Sequence, residues 1–329
     1  MAAVAAACRS PALPPAEPLA PGSLLIAIDW GTSSLRAVAM DAQGTILDRL
    51  SSGDGVMAMA GRDYAAVFQT LFGGWLARWP QAVILASGMV GSRQGWREAP
   101  YVSCPASFED LARGIVTVPA GGGRLLGLVP GLVSLGDKAA PDVMRGEEAQ
   151  VFGAMKLGGR QEGVFVLPGT HSKWVSVSDG RIMRFSSFMT GEVYGLLKQH
   201  SILGRLMPQG GDPPFAQPAF EAGCALALDD AGGALLHRLF SVRTQGLFER
   251  FTAEELPSYL SGLLIGEEVR EAIWLLGERP ELPVQLICRA DLALPYRLAL
   301  GQAGLDSGVI EDAAFAGLFE IARRNALLS

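Results

Sequence analysis

Asp29 stands near the end of an apolar run, Leu24 to Trp30, and is followed by Gly31-Thr32-Ser33-Ser34. A turn rich in glycine and hydroxyls can aim backbone N–H groups and side-chain hydroxyls at one point, which suits phosphate oxygens. A carboxylate at a strand end could hold Mg²⁺ through water, because Mg²⁺ keeps several waters and takes few carboxylates. The alternative is an ordinary hairpin with a turn-capping Asp. Against it, a carboxylate with no task inside an apolar strand is costly. Gly169-Thr170-His171-Ser172 repeats the glycine-plus-hydroxyl turn after Leu167-Pro168. Two such turns facing each other could grip both ends of a polyphosphate, and a plain hairpin stays open as the other reading. A third segment, Met144-Arg145-Gly146-Glu147-Glu148, puts two carboxylates in the first turn of a predicted helix. The helix dipole favours that placement without any function. Chemically, one carboxylate could accept the proton of an attacking hydroxyl, and Arg145 suits an anionic substrate.

These residues need strands and helices behind them. Apolar runs predict strands at Leu24–Trp30, Leu35–Met40 and Thr45–Ser51, then a helix over Tyr64–Trp79 ended by Pro80. Further strands are expected at Ala82–Ala86 and Arg124–Val129, and a helix at Gly146–Leu157. The opening pattern then returns as Val164–Leu167, Lys173–Val177 and Arg181–Phe188, with turns at Gly169-Thr170 and Asp179-Gly180. This reads as a duplication of architecture, not of sequence. Later helices are expected at Gly191–Met207, at Glu254–Leu276 with interruptions at Gly262 and Gly266, at Leu292–Ala303 and at Asp312–Arg324. A strand is expected at Val284–Cys288. Strands with interleaved helices in both halves give an α/β class. Met57, Met59, Met89 and Met189 read as core filler. The expected domains are 23–158 and 159–329, with 1–22 a disordered tail containing Pro11, Pro14, Pro15, Pro18 and Pro21.

The 329 residues are 49% apolar and 18% charged, which excludes a disordered chain and fits two domains. The net charge of −6, with no basic block, speaks against nucleic-acid binding. The four cysteines form no C-x-x-C pair, so reduced thiols in a cytoplasmic protein are expected. No apolar run is long enough for a membrane span. No G-x-x-x-x-G-K-[ST] occurs, so this is not a P-loop chain.

Asp29-Trp30-Gly31-Thr32-Ser33 resembles the first phosphate motif of the superfamily that joins sugar kinases, actin and heat-shock chaperone ATPases. Gly146-Glu147-Glu148-Ala149-Gln150-Val151-Phe152-Gly153 is similar to the segment that carries the catalytic base of its carbohydrate kinases. Ala86-Ser87-Gly88-Met89-Val90-Gly91-Ser92, Pro168-Gly169-Thr170-His171-Ser172-Lys173-Trp174-Val175, Met189-Thr190-Gly191-Glu192 and Ser261-Gly262-Leu263-Leu264-Ile265-Gly266 narrow the resemblance to the 2-dehydro-3-deoxygalactonokinase family. It runs from about Ser23 to Arg324.

The resemblance implies two RNase H-like, actin-like ATPase domains with a cleft between them. It implies Mg²⁺-ATP in that cleft and phosphorylation of a sugar acid on its 6-hydroxyl, a step in galactonate breakdown. Glu147 would be the base, with Glu148 or Asp142 as substitutes, and Asp29 would orient Mg²⁺. Gly31, Thr32, Ser33 and Ser34 would bind phosphates together with Gly169, Thr170, His171 and Ser172. Arg145, Lys173 and Arg93 could bind the substrate carboxylate. Trp30 and Trp96 could line a sugar site or belong to the core. The expected partners are the sugar acid and ATP, with no nucleic acid and no membrane. The competing expectations are a kinase for another keto-deoxy sugar acid and a non-catalytic ATP-binding member. The sequence departs from the superfamily at Arg289-Ala290-Asp291, where a small glycine-containing turn usually packs on adenosine. Either Arg289 turns outward and stacks on adenine, or nucleotide affinity is impaired.

Overall fold

Strand β1 (Leu24–Trp30) is almost wholly buried and pairs antiparallel with β2 (Leu35–Asp41), which pairs antiparallel with β3 (Ile46–Ser52). Helix α1 (Tyr64–Arg78) starts at Asp63, whose carboxylate accepts the Ala65 N–H at 2.9 Å. That capping satisfies a donor the helix itself cannot. Phe68, Phe72 and Leu76 recur at helical spacing and bury against Ile26, Ile28 and Ile84. Strand β4 (Val83–Ser87) returns beside β1 in parallel. Strand β5 (Tyr101–Ser103) and helix α2 (Phe108–Arg113) lead to β6 (Val116–Gly121) and β7 (Arg124–Leu128). The sheet order is β3-β2-β1-β4-β7-β6.

Strands β8 (Gly131–Ser134) and β9 (Asp142–Met144) form a short antiparallel pair that delivers the chain to α3 (Glu147–Gly158). The second large sheet holds β10 (Gly163–Leu167), β11 (Ser172–Ser178) and β12 (Arg181–Phe188). Between β12 and the next strand lie α4 (Thr190–His200), α5 (Gln217–Leu228), α6 (Leu235–Leu247) and α7 (Leu256–Leu276). Strand β13 (Val284–Ile287), α8 (Ala290–Gln302), β14 (Ser307–Ile310) and α9 (Ala313–Arg324) complete the chain. The order is β12-β11-β10-β13-β14. Both sheets share a 3-2-1-4-5 arrangement, antiparallel through the first three strands and parallel over the next two, and the first sheet adds β6 antiparallel to β7 at its edge. This is the RNase H-like α/β architecture, and the expected duplication is real at the level of topology.

The structure is a computed structural model that describes residues 23–135, 140–211, 213–229, 231, 233–277 and 279–328. The expectation for 1–22 lies outside the described residues. The described chain divides into two compact units, one of 23–102, 108–131 and 318–328, the other of 103–107 and 132–317. The expected division at 158/159 falls inside the second unit.

Three local expectations change. The helix expected over 191–207 stops at His200, because Ser201 turns extended and its hydroxyl accepts the Leu203 N–H at 3.1 Å. That side-chain bond competes with helix continuation. Helix α7 runs unbroken through Gly262 and Gly266. Those positions lie against the backbone of α5, where a Cβ on Gly262 would stand 2.0 Å from the Phe220 carbonyl oxygen. Their glycines are there for helix–helix approach, not interruption. Helices α5 and α6 lie almost wholly in a stretch, 219–253, where the sequence pattern places His237 in helix but gives no element bounds. Helix α5 is rich in Ala and Gly, so its apolar face has little contrast.

Candidate active site

In the first unit, Asp29 and Arg36 face each other across the β1–β2 pair, and Arg36 Nη2 donates to Asp29 Oδ2 at 2.6 Å. The turn between them is closed by the Gly31 N–H on the Ser34 carbonyl at 2.9 Å. The carbonyls of Gly31 and Thr32 accept the N–H groups of Val56 and Met57, each at 3.0 Å. Gly55 lies beneath the turn so closely that a Cβ there would stand 2.3 Å from the Ser33 carbonyl carbon. The amides of Thr32, Ser33 and Ser34 donate to no backbone carbonyl among the described residues. Thr32, Ser33 and Ser34 are exposed, in a turn that directly follows the Asp29 carboxylate. One carboxylate with one oxygen on Arg36 fits Mg²⁺ held mostly by water and phosphate; no group of three or more His, Cys, Asp or Glu side chains able to hold a metal exists among the described residues.

Trp30 is fully buried, with its indole N–H on the Asp54 carbonyl at 2.8 Å, so it is core and does not line a sugar site. Trp96 is half-buried and stacks on Tyr64 with ring centroids 5.8 Å apart. Arg93 is 84% exposed and lies 3.6 Å from Glu98.

In the second unit, β9 ends at Met144 and the chain turns through Gly146, whose φ of +106° suits glycine. Arg145 is buried there. Both glutamates fold back on the start of α3: Glu147 Oε2 accepts the Arg145 N–H at 2.9 Å, and Glu148 Oε2 accepts the Gly146 N–H at 2.7 Å. Their surroundings differ. Glu148 is fully buried, and burial with the neighbouring Glu147 charge pushes its carboxyl up to about 8, against the pull of its backbone hydrogen bonds. Glu147 is half-buried. Asp142 accepts both the N–H and the hydroxyl of Ser187 at 2.6 Å. Lys173, a candidate for the substrate carboxylate, is buried and donates to the Val143 carbonyl at 2.9 Å and to the Ser187 hydroxyl. Its ammonium ties β9 to β11 and β12 and is spent there.

The Gly169–Ser172 turn packs on the N-terminus of α4. A Cβ on Gly191 would stand 2.5 Å from the Gly169 carbonyl oxygen, and the Glu192 N–H meets the Thr170 carbonyl at 3.0 Å. The amides of Gly169, Thr170 and His171 donate to no backbone carbonyl among the described residues. His171 Nε2 lies 2.5 Å from Glu192 Oε2 on the surface. Ser172, expected at a phosphate, points inward: it is fully buried and its hydroxyl pairs with Tyr296 at 2.7 Å.

Behind it lies a group that the sequence pattern did not single out. Glu268 on α7 accepts the Trp174 indole N–H and the Tyr296 hydroxyl, both at 2.8 Å, and the Thr190 hydroxyl. Burial pushes its carboxyl up while those donors pull it down. A carboxylate inside the apolar run Leu263–Val269 was the available signal, by the cost argument applied to Asp29. A cavity of about 300 Å³ opens beside the turn, lined by Gly169, Thr190, Tyr194, Phe215, Leu264, Asp291 and Tyr296 among others. Arg289 caps α8 with its side chain 77% exposed and paired to Asp291 at 2.7 and 3.1 Å. It is turned outward and leaves the cavity open.

A family profile described as 2-keto-3-deoxy-galactonokinase matches residues 29–321. The 2-dehydro-3-deoxygalactonokinase of Escherichia coli (strain K12) is 35% identical over 300 residues, covering 90% of this chain and 97% of that protein. A Rhizobium meliloti (strain 1021) protein named as DgoK1 of the same activity is 35% identical over 302 residues, 90% of this chain and 96% of its own. A crystal structure assigned to a 2-dehydro-3-deoxygalactonokinase from Sinorhizobium meliloti superposes with a TM-score of 0.84 at 33% identity, covering 91% of this chain and 98% of that one. With the duplicated sheets, the two glycine turns and the glutamates heading α3, these matches establish that the chain belongs to the 2-keto-3-deoxy-galactonokinase family.

Proposed function

We propose that this kinase transfers the γ-phosphoryl group of ATP to the 6-hydroxyl of 2-dehydro-3-deoxy-D-galactonate. The observation that carries the mechanism is the unequal environment of three carboxylates. Burial and the Glu147 charge push the Glu148 carboxyl up to about 8, and Asp142 accepts both donors of Ser187. Glu147, half-buried at the head of α3 with one carboxylate oxygen on the Arg145 N–H, is the group we assign as base, by its place in the segment that resembles the base segment of carbohydrate kinases. Its carboxylate takes the proton of the 6-hydroxyl as that oxygen bonds to the γ-phosphorus. The bond from the γ-phosphorus to the bridging oxygen breaks, and ADP leaves with that oxygen. Arg145, next to the base, pairs with the sugar-acid carboxylate.

The turn amides at Thr32–Ser34 and Gly169–His171 take phosphoryl oxygens, with Ser172 serving the second turn from behind through Tyr296. The adenosine enters the cavity beside Tyr194 and Phe215, below the Arg289–Asp291 pair. Mg²⁺ fits at Asp29, where it supplies charge neutralisation for the phosphates. Positioning and charge stabilisation account for most of the acceleration in phosphoryl transfer generally. Unpaired Cys104, Cys224 and Cys288 and the need for ATP fit a cytoplasmic enzyme. No described helix is long and apolar enough to cross a membrane.

The test is coupled ADP release with Mg²⁺-ATP and either 2-dehydro-3-deoxygalactonate or its gluconate epimer. Turnover is expected with the first and not the second. Glu147→Gln should lower kcat by about a hundredfold or more with little change in KM and an unchanged circular dichroism spectrum. Near-normal turnover in that variant would remove Glu147 from the base role.

A further inference from the structure

Helix α6 (Leu235–Leu247) has two apolar faces. The inner face buries Val242 and Arg238, whose guanidinium lies 3.1 Å from Glu267 and donates to the Ala227 and Asp229 carbonyls. These contacts fix which side of the helix points outward. On that outer side stand Leu236, Phe240, Arg243 and Leu247, all within an arc of about 60° at 3.6 residues per turn. Leu236 is 86% exposed, Phe240 56% and Leu247 54%, and Phe248 just beyond the helix is 75% exposed. At ordinary side-chain areas this leaves roughly 500 Å² of apolar side chain in water. That is the upper end of what a monomer surface shows, and about two-thirds of the area one partner contributes to a standard interface.

The spacing of the stripe is 4-3-4, the a/d pattern of a helix seam. It also reads the same in both directions. An antiparallel pair of such helices about a two-fold axis therefore matches itself, which is the requirement for an isologous interface. Leu236 meets the partner subunit's Leu247, and Phe240 meets the partner subunit's Arg243. An arginine over a phenyl face is a favourable contact, and its aliphatic stem covers apolar surface. Arg and Phe are also residue types enriched in interface cores.

We propose that the outer stripe of α6 is the interface through which two copies of this chain form an antiparallel two-fold dimer. Sedimentation velocity at micromolar concentration should give twice the mass of one chain. Leu236→Glu and Leu247→Glu each put a carboxylate against leucine and should weaken the dimer by about a hundredfold in Kd, the scale of an interface hot spot. Phe240→Glu puts its carboxylate opposite the partner subunit's Arg243 and should retain the dimer better than either. For register, Leu236→Cys and Leu247→Cys proteins mixed together should cross-link under mild oxidation, while neither does alone. All variants should keep their thermal transition and ADP release, since the substituted side chains are on the outer side of α6, away from its packing on α5 and α7. A monomer, a dimer indifferent to Leu236→Glu, or cross-linking of Leu236→Cys with itself would overturn the proposal. A monomer that dimerises only after removal of residues 1–22 would assign the stripe to that segment instead, and would overturn it too.

Discussion

The Gly31–Ser34 turn is held by main chain. Its carbonyls take the amides of Val56 and Met57, Gly55 lies under it, and its one ion pair, Asp29–Arg36, is open to solvent on the arginine side. The Gly169–Ser172 turn sits at the same point of the same topology but hangs on side chains. Ser172 bonds Tyr296, Tyr296 bonds Glu268, and Glu268 gathers Trp174 and Thr190. The difference follows from what lies behind each sheet. In the first unit the crossover from β3 to β4 is filled by a short 3-10 turn, Val56–Met59, and by the apolar face of α1. In the second, four helices enter between β12 and β13, and α4, α7 and α8 bring polar groups to one buried point. A backbone-held turn depends on missing side chains. A side-chain-held turn depends on one buried carboxylate.

The comparison breaks first at the glycines. Gly55→Ala and Gly191→Ala both force a Cβ into backbone at 2.3–2.5 Å. Each should cut kcat/KM for ATP by about a hundredfold, the scale of a displacement of about an ångström in a positioning element. Steady-state kinetics against ATP would read this, and a normal Gly55→Ala enzyme would show that the first turn bears no phosphate.

Glu268→Ala comes next. It strands two hydroxyls and an indole N–H in the interior, where each unmet donor costs about 1–3 kcal/mol. Urea unfolding should show a loss of several kcal/mol, with Glu268→Gln recovering part of it.

Glu148 sharpens the comparison through pH. Its carboxyl titrates near 8 in the fold against an ordinary 4.5, so the unfolded chain gives up this proton first as pH rises. The contribution to stability is complete below pH 4.5 and lost as pH climbs to 8. Glu148→Gln should therefore raise Tm by several degrees at pH 8.5 and leave it nearly unchanged at pH 4.5. An equal shift at both values would mean that Glu148 is ionised in the fold. Arg36→Met should have the smallest effect, within about 1 kcal/mol, because its partner interaction is solvent-screened.

Much of this architecture is legible in the amino-acid sequence alone. Both hairpins, α1, α3, β13 and the last two helices follow from apolar periodicity and turn residues. The two glycine turns and the glutamates heading α3 are visible as motifs from residue type and position, while the proposed roles of Asp29 and Glu147 come from resemblance. Lys173 and Ser172 differ from expectation, because a polar residue beside a glycine turn points at either the site or the sheet interior. Both faces of β11 are covered at its start, where Ser172 to Val175 are all buried, and that strand starts one residue earlier than expected. Met57 and Met189, expected in the core, stand 75% and 53% exposed for a similar reason: composition carries no direction.

The sequence by itself determined the duplicated strand order, the residue types at both turns and the family, since those depend on local pattern and on motifs continuous along the chain. Only the tertiary structure decided which carboxylate is buried and neutral, which lysine is consumed, and that Glu268 joins β11, α4, α7 and α8. Those outcomes depend on which groups meet across 14 to 124 residues of chain, and burial and pairing are properties of the meeting, not of either residue.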